Sequence, residues 1–178
     1  MADIFELMLT LDLRDELSEE EVAELRWHLG LGPKPETLSI VTDFPFAVED
    51  DHGKLVIEED PYPLLGGSGE ASKVDGALVS ILLRRQKPSF GTWALTSRQE
   101  IHPDDFERTG ELLSWLATKV GDFHRRHDGS VHLGWTRFCE EHQPEPLVVR
   151  DGVVIWPSSL GLSLASWGGG TSPGADGS

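Results

Sequence analysis

A strand that leads directly into a helix is the feature that most constrains how this chain folds. Residues Thr92–Ile101 are predicted to form the strand, and His102 and Pro103 connect it to the clearest long helix. Proline at the first helical position gives up no needed N–H, and Asp104 and Asp105 face the positive end of the helix dipole. We therefore predict a helix that begins near Pro103 and buries one apolar stripe, made of Phe106, Leu112, Leu113, Leu116, Ala117 and Val120.

An earlier part of the chain repeats this order of elements. Residues Phe5–Leu13 alternate between apolar and other side chains, the period of a strand with one buried face. Ser18 and Glu21 have the spacing of a capping box, and the helix that they begin is predicted to stop at Gly30. The two strand–helix units indicate a pseudo-twofold α+β architecture.

Three further segments in the first half of the chain have strand patterns. Leu38–Val41 predicts a short strand, and Phe44–Val48 pairs with Leu55–Ile57 in a predicted hairpin across an acidic turn. Ala77–Leu83 is a nearly unbroken apolar run, typical of a strand covered on both faces, so we place it at the centre of the sheet. The glycine-rich stretch from Tyr62 to Asp75 predicts a flexible connection.

The second half of the chain adds one strand and one hairpin. Val131–Phe138 predicts a strand, and Leu147–Trp156 predicts a hairpin whose β-branched arms flank a type I′ turn at Asp151 and Gly152. This hairpin is expected to finish the sheet.

Together these elements predict an α+β sandwich. We expect an antiparallel or mixed sheet with two helices on one face, in a ferredoxin-like arrangement with additional hairpins. The domain is expected to span residues 1–157, followed by a mostly disordered, Gly/Ser-rich tail at 158–178. Its strands are predicted near residues 4–13, 38–48, 76–85, 91–101, 131–138 and 147–156.

Acidity is the strongest property of the composition, and it is concentrated in one region. The net charge is -16, and residues 1–60 hold 17 acids against 4 bases. Such a surface repels phosphate backbones, which disfavours nucleic-acid binding. It would attract a basic protein partner. The alternative interpretation is that the acidity only keeps the protein soluble. We therefore expect a soluble acidic binding or regulatory protein, such as an inhibitor or immunity-type partner of a basic protein, with no catalytic residues and no cofactor.

Location follows from what the sequence lacks. No apolar run approaches the ~20 residues needed to span a bilayer. The N-terminus has neither the basic region nor the apolar core of a secretory signal. Cys139 is the only cysteine, which fits a reducing compartment. A cytoplasmic protein without a membrane partner is expected.

A second hypothesis is a small-molecule binding protein or enzyme with a pocket between the sheet and the helices. The six tryptophans motivate this hypothesis, and tryptophans exposed together would instead indicate a homodimer surface. The residues that would line the pocket are Trp93, Arg98, His102, Trp115 and Trp135.

Metal binding is a weaker hypothesis. His124 with His127, and Cys139 with His142, have spacings that resemble those of zinc ligands. Only one thiolate is available, and a core of this size needs no metal for folding, so we predict that no metal is bound.

Overall fold

The structure is a computed structural model that describes residues 3–14, 16–42, 44, 46–58, 60–86 and 91–157. Within these residues the protein has two α-helices, α1 (Glu19–His28) and α2 (Phe106–Lys119), and two short 3-10 helices at Pro103–Asp105 and Asp122–His124. The strands are β1 (Phe5–Leu13), β2 (Phe46–Glu49), β3 (Leu55–Glu58), β4 (Gly69–Glu70), β5 (Ala77–Arg84), β6 (Trp93–Ile101), β7 (Val131–Phe138), β8 (Glu145–Arg150) and β9 (Val153–Ile155).

Seven of the strands form one sheet in the order β4-β5-β6-β1-β7-β8-β9, and β2 and β3 form a separate pair. All neighbours in the large sheet are antiparallel. The α+β class is therefore confirmed, and the sheet is antiparallel rather than mixed.

The core lies on one face of this sheet. The alternation predicted for β1 buries Phe5, Leu7, Leu9, Leu11 and Leu13. These leucines share one apolar cluster with side chains from both helices, namely Leu25 and Leu29 from α1 and Leu112, Leu113 and Leu116 from α2. Each fully buried leucine contributes about 2 kcal/mol by leaving water, so this layer is the main source of stability.

The opposite face of the sheet carries an ionic cluster. Glu6 points to this face from β1, and its carboxylate binds Arg98 of β6 and Arg137 of β7. The Arg137 Nη2 atom lies 2.7 Å from Glu6 Oε2, and Glu6 is almost fully buried by the two guanidinium groups. Bidentate contacts of this kind fix the register of the three central strands on the open side.

A close approach between β1 and β7 requires glycine at residue 134. Gly134 lies at a β-bulge with φ 151°, and a Cβ atom built there would be 1.9 Å from the Met8 carbonyl oxygen. Any side chain would push the two strands apart, so glycine sets the spacing here.

The predicted helix and turn signals are confirmed where they are local. The Ser18 hydroxyl accepts from Glu21 N, the Glu21 carboxylate accepts from Ser18 N, and the chain leaves α1 through Gly30 at φ 70°. Asp151 and Gly152 both have positive φ, as a type I′ turn requires. Pro103 begins a 3-10 turn that passes into α2.

The predicted strand at Leu38–Val41 is wrong, and Glu24 gives the reason. The backbone N–H groups of Ser39, Ile40 and Val41 donate to the buried Glu24 carboxylate at 2.6–3.1 Å. Because these donors are used by one side chain, the segment curls around it and cannot join a ladder. Among the described residues, 38–42 and 44 therefore add no strand to the main sheet, and Phe46–Glu49 belongs to the separate pair.

The placement of Ala77–Leu83 at the sheet centre is also wrong. This run forms β5, whose side chains alternate between buried Ser80 and Leu82 and exposed Val79, Ile81 and Leu83. Within the described residues, the two-residue β4 is the one strand beyond it, and β4 interrupts the predicted flexible connection.

Two sequence-based predictions concern other parts of the chain. The predicted disordered tail, 158–178, lies outside the described residues. Within the residues that are described, no helix is long and apolar enough to cross a membrane.

The Glu24 carboxylate gives a direct test of the loop at residues 39–41. In the Glu24→Gln variant an amide NH₂ replaces one acceptor and faces backbone donors, so we expect the free energy of unfolding to fall by about 3 kcal/mol. Urea denaturation measures this change. The exposed neighbour Glu20 on the same helix is the matched control, and Glu20→Gln should cost less than about 1 kcal/mol. Equal effects of the two substitutions would contradict this role for Glu24.

Candidate protein interface

The hairpin formed by β2 and β3, residues Phe46–Glu58, exposes apolar side chains outside the main sheet. We call it the hairpin arm. Leu55 and Ile57 are 72% and 69% exposed, and the register places them on one face with Ala47 and Glu49. Exposed aliphatic side chains that form a contiguous surface commonly mark a site where another protein binds.

Acidic residues flank these aliphatic side chains in the sequence. Residues 46–60 contain six acids and one lysine, a net charge of -5. Glu49 and Asp51 are exposed at the tip, whereas Asp50 shapes the turn by accepting from the N–H groups of His52 and Lys54. The hairpin arm therefore combines an apolar surface with a strongly negative potential.

The root of the hairpin arm is held by a cluster that joins both of its ends to the beginning of α2. The Tyr62 hydroxyl donates to Asp105, and Arg108 donates to Tyr62 Oη at 3.2 Å and to the Phe44 carbonyl at 3.3 Å. The guanidinium also lies over the Phe44 and Tyr62 rings, at 5.9 and 6.0 Å from their centroids. Phe44 precedes β2 and Tyr62 follows β3, so this root cluster fixes where the arm leaves the body.

A depression of about 550 Å³ opens beside the root cluster. Ala47, Tyr62, His102, Asp104, Asp105 and Arg108 line it. Burial raises the pKa of Tyr62, and its hydrogen bond to Asp105 raises that pKa further. The phenol is therefore a hydrogen-bond donor at neutral pH, and the polar groups here bond mainly to each other.

A buried histidine supports the root cluster from below. The His28 ring is stacked on Phe44, with centroids 6.4 Å apart, and its Nε2 atom lies 3.6 Å from Glu24 Oε1. Burial lowers the pKa of His28 to about 4, because the neighbouring Glu24 only partly offsets the loss of water. The imidazole is thus neutral at physiological pH.

The five residues proposed to line a pocket between sheet and helices are placed in four separate locations. Arg98 of β6 and Trp135 of β7 flank Met8 of β1 from opposite sides on the open face of the sheet. His102 caps the 3-10 turn beside the root cluster. Trp93 lies under Arg84 near the start of α1, and Trp115 lies near Lys119 on α2.

The predicted metal-ligand pairs lie at opposite ends of the sheet. His124 accepts from the backbone N–H of Asp12 through Nε2, and its Nδ1 atom lies 3.2 Å from the His132 carbonyl. The backbone N–H of Cys139 donates to the Ile4 carbonyl beyond the other end of β7. His127 and His142 are exposed, and the described part of the chain contains no group of three or more His, Cys, Asp or Glu that could hold a metal ion.

No protein-family model matches this chain, and comparisons with curated proteins and with solved structures gave no match either. The choice among candidate sites therefore depends on the geometry and chemistry of this chain alone.

Reasoning from sequence missed the root cluster but had a signal for the hairpin arm. The hairpin and its acidic turn were predicted, and a run of three apolar residues followed by three acids was visible at 55–60. The alternation of residue types along the sequence could not show that Leu55 and Ile57 are exposed. Their exposure depends on the hairpin arm being separate from the main sheet.

The buried neutral His28 predicts a stability that depends on pH. The unfolded chain binds a proton on this histidine below about pH 6.5, whereas the folded protein resists protonation until about pH 4. The stability is therefore complete above pH 6.5 and falls as the pH drops through this window. Between pH 7 and 4.5, the wild type should lose about 2–3 kcal/mol more than His28→Gln in urea denaturation. His52→Gln, at the exposed tip, should keep the wild-type pH dependence, and a His28→Gln curve parallel to the wild type would refute this assignment.

Proposed function

We propose that this protein is an acidic binding or regulatory protein whose hairpin arm docks onto a basic protein partner, as an inhibitor or immunity-type protein does. The observation that carries the proposal is the exposure of Leu55 and Ile57 within a segment of net charge -5. Exposed aliphatic side chains and the acids that would select a basic partner thus lie close together in sequence, within residues 46–60.

The two properties have different physical roles in binding. Removing Leu55 and Ile57 from water on docking would supply affinity, at about 25 cal/mol per Å² of apolar area before the costs of association. Glu49 and Asp51 would steer a positively charged partner and repel acidic ones, which affects the association rate and specificity more than affinity. A basic protein with an apolar groove has the chemistry that fits both.

Two other exposed acids of the first third have a sufficient local explanation. Glu19 and Glu20 lie in the first turn of α1, where carboxylates stabilise the positive end of the helix. Neither of the larger aliphatic side chains of α1 is exposed, because Val22 is half-buried and Leu25 is buried. The hairpin arm, rather than the N-terminal region as a whole, is thus the proposed contact surface.

We also propose the finer fold and location that the sequence favours. The central strands follow the order β5-β6-β1-β7 with one helix after β1 and one after β6, which supports a ferredoxin-like core extended by hairpins. The single cysteine supports a reducing, cytoplasmic location.

A small-molecule site is the second candidate, and the depression beside the root cluster is the observation in its favour. Tyr62, Asp105 and Arg108 already bond to each other there, so a ligand would have to displace these contacts. The protein interface therefore has the stronger support.

A double variant of the hairpin arm tests the proposed function. Partners are captured from the source cell on the immobilised full chain at low and high salt, and a salt-sensitive basic partner is then purified and titrated. Leu55→Ser/Ile57→Ser should weaken its binding at least ~tenfold, because the apolar contact is lost.

The matched control is Val153→Ser/Ile155→Ser, which removes two exposed aliphatic side chains with the same spacing from β9. It should change the affinity less than about twofold. Similarly, Glu49→Gln/Asp51→Asn should slow association, whereas Glu19→Gln/Glu20→Gln should have a smaller effect. The absence of any salt-sensitive basic partner, or equal effects of the two aliphatic double variants, would overturn the proposal.

A further inference from the structure

The outer edge of β5 is unpaired over most of its length. β4 pairs only with Ala77 and Leu78, and in the part of the chain that the structure describes no strand pairs with this edge from Val79 to Arg84. An unpaired edge presents a row of backbone donors and acceptors that can pair with another chain.

The direction of these backbone groups follows from one hydrogen bond. Arg85 N donates to Thr92 O at 2.7 Å, which continues the register of β5 with β6. Hydrogen-bonded and non-hydrogen-bonded pairs alternate in an antiparallel ladder, so odd-numbered residues of β5 bond inward to β6. The N–H and C=O groups of Ser80, Leu82 and Arg84 therefore point outward.

The side chains beside this edge are aliphatic. Val79, Ile81 and Leu83 form a row on the open face of the sheet and are 41%, 46% and 60% exposed. Protein edges are usually blunted by short strands, prolines or charges. β9, at the opposite edge, has only three residues and is followed by Pro157, whereas β5 has six residues in its unpaired part.

Charge indicates which strand fits this edge. Residues 77–86 contain no acid and two arginines, in a protein whose net charge is -16. The basic partner proposed for the hairpin arm would meet Arg84 and Arg85 here, so it does not suit this surface. A second copy avoids acid–acid repulsion at β5 and brings the acidic Glu70 of β4 towards the arginines.

We propose that β5 pairs antiparallel with β5 of a second copy, centred on Leu82, to form a twofold homodimer with one continuous sheet. In this register Ser80 faces Arg84 of the second copy and Leu82 faces its counterpart, which gives about six main-chain hydrogen bonds. Pairing then ends with Arg85 opposite Val79 of the second copy, because Leu78 is already paired with Gly69, so β4 stays in place. Ile81 and Leu83 pack on each other across the twofold axis. The dimer uses a different surface from the hairpin arm and does not depend on the proposed function.

Two substitutions at Arg84 distinguish the contribution of its backbone N–H from that of its side chain. Arg84→Pro removes an outward N–H that the β5–β6 ladder does not use, and the proline ring blocks the incoming strand. Arg84→Ala removes the guanidinium but keeps the N–H. In sedimentation equilibrium the wild type should dimerise reversibly as concentration rises, Arg84→Pro should weaken the dimer at least ~tenfold, and Arg84→Ala should weaken it far less.

A second pair of variants keeps the proposal testable if Arg84→Pro fails to fold. Ile81→Lys places like charges at the twofold axis and should also weaken the dimer at least ~tenfold, whereas Val153→Lys adds the same charge to the opposite edge and should leave dimerisation unchanged. A monomer at every concentration overturns the proposal. So does a dimer that Ile81→Lys leaves intact, since it would use another surface.

Discussion

The buried face of β1 is the constraint on which the rest of the structure depends. Its leucines, one at every second residue from Leu7 to Leu13, lie at the centre of the sheet and contact the apolar cluster supplied by both helices. A shift of one residue in register would turn all of these leucines away from the helices and direct Glu6, Thr10 and Asp12 into the apolar core instead. The Glu6 contacts to Arg98 and Arg137 enforce the same register from the other face.

Only one face of the sheet packs against the helices, so apolar side chains elsewhere remain exposed. They are found on the hairpin arm, along β5, on β9 and at Phe123. The hairpin arm combines them with acidic residues, and β5 combines them with unpaired backbone and arginines. These opposite charges suit different partners: a basic protein for the hairpin arm and a second copy of the chain for β5. The two surfaces could thus be used at the same time.

Signals that act within a few residues were predictable, whereas those set by tertiary contacts were not. The capping box at Ser18 and Glu21 and the turn at Asp151 and Gly152 depend on local hydrogen bonds and backbone angles, and both are present. Leu38–Val41 looked like a strand because nothing nearby shows that Glu24, fourteen residues before Leu38, takes its backbone donors. An apolar run such as Ala77–Leu83 does not indicate which face of the strand is buried. The proposed pocket failed to assemble for the same reason, because residue type alone could not place Trp93 and Trp135 on opposite faces.

In the isolated protein the hairpin arm is exposed whereas the core-facing side chains of β1 are buried, and carbene footprinting with mass spectrometry measures both. Labelling at low protein concentration should be strong at Leu55 and Ile57 and minimal at the core-facing Phe5, Leu7, Leu9, Leu11 and Leu13, in line with their exposure. Equally low labelling of the hairpin arm and of β1 would show that the arm packs onto the body of the protein, which would contradict the account.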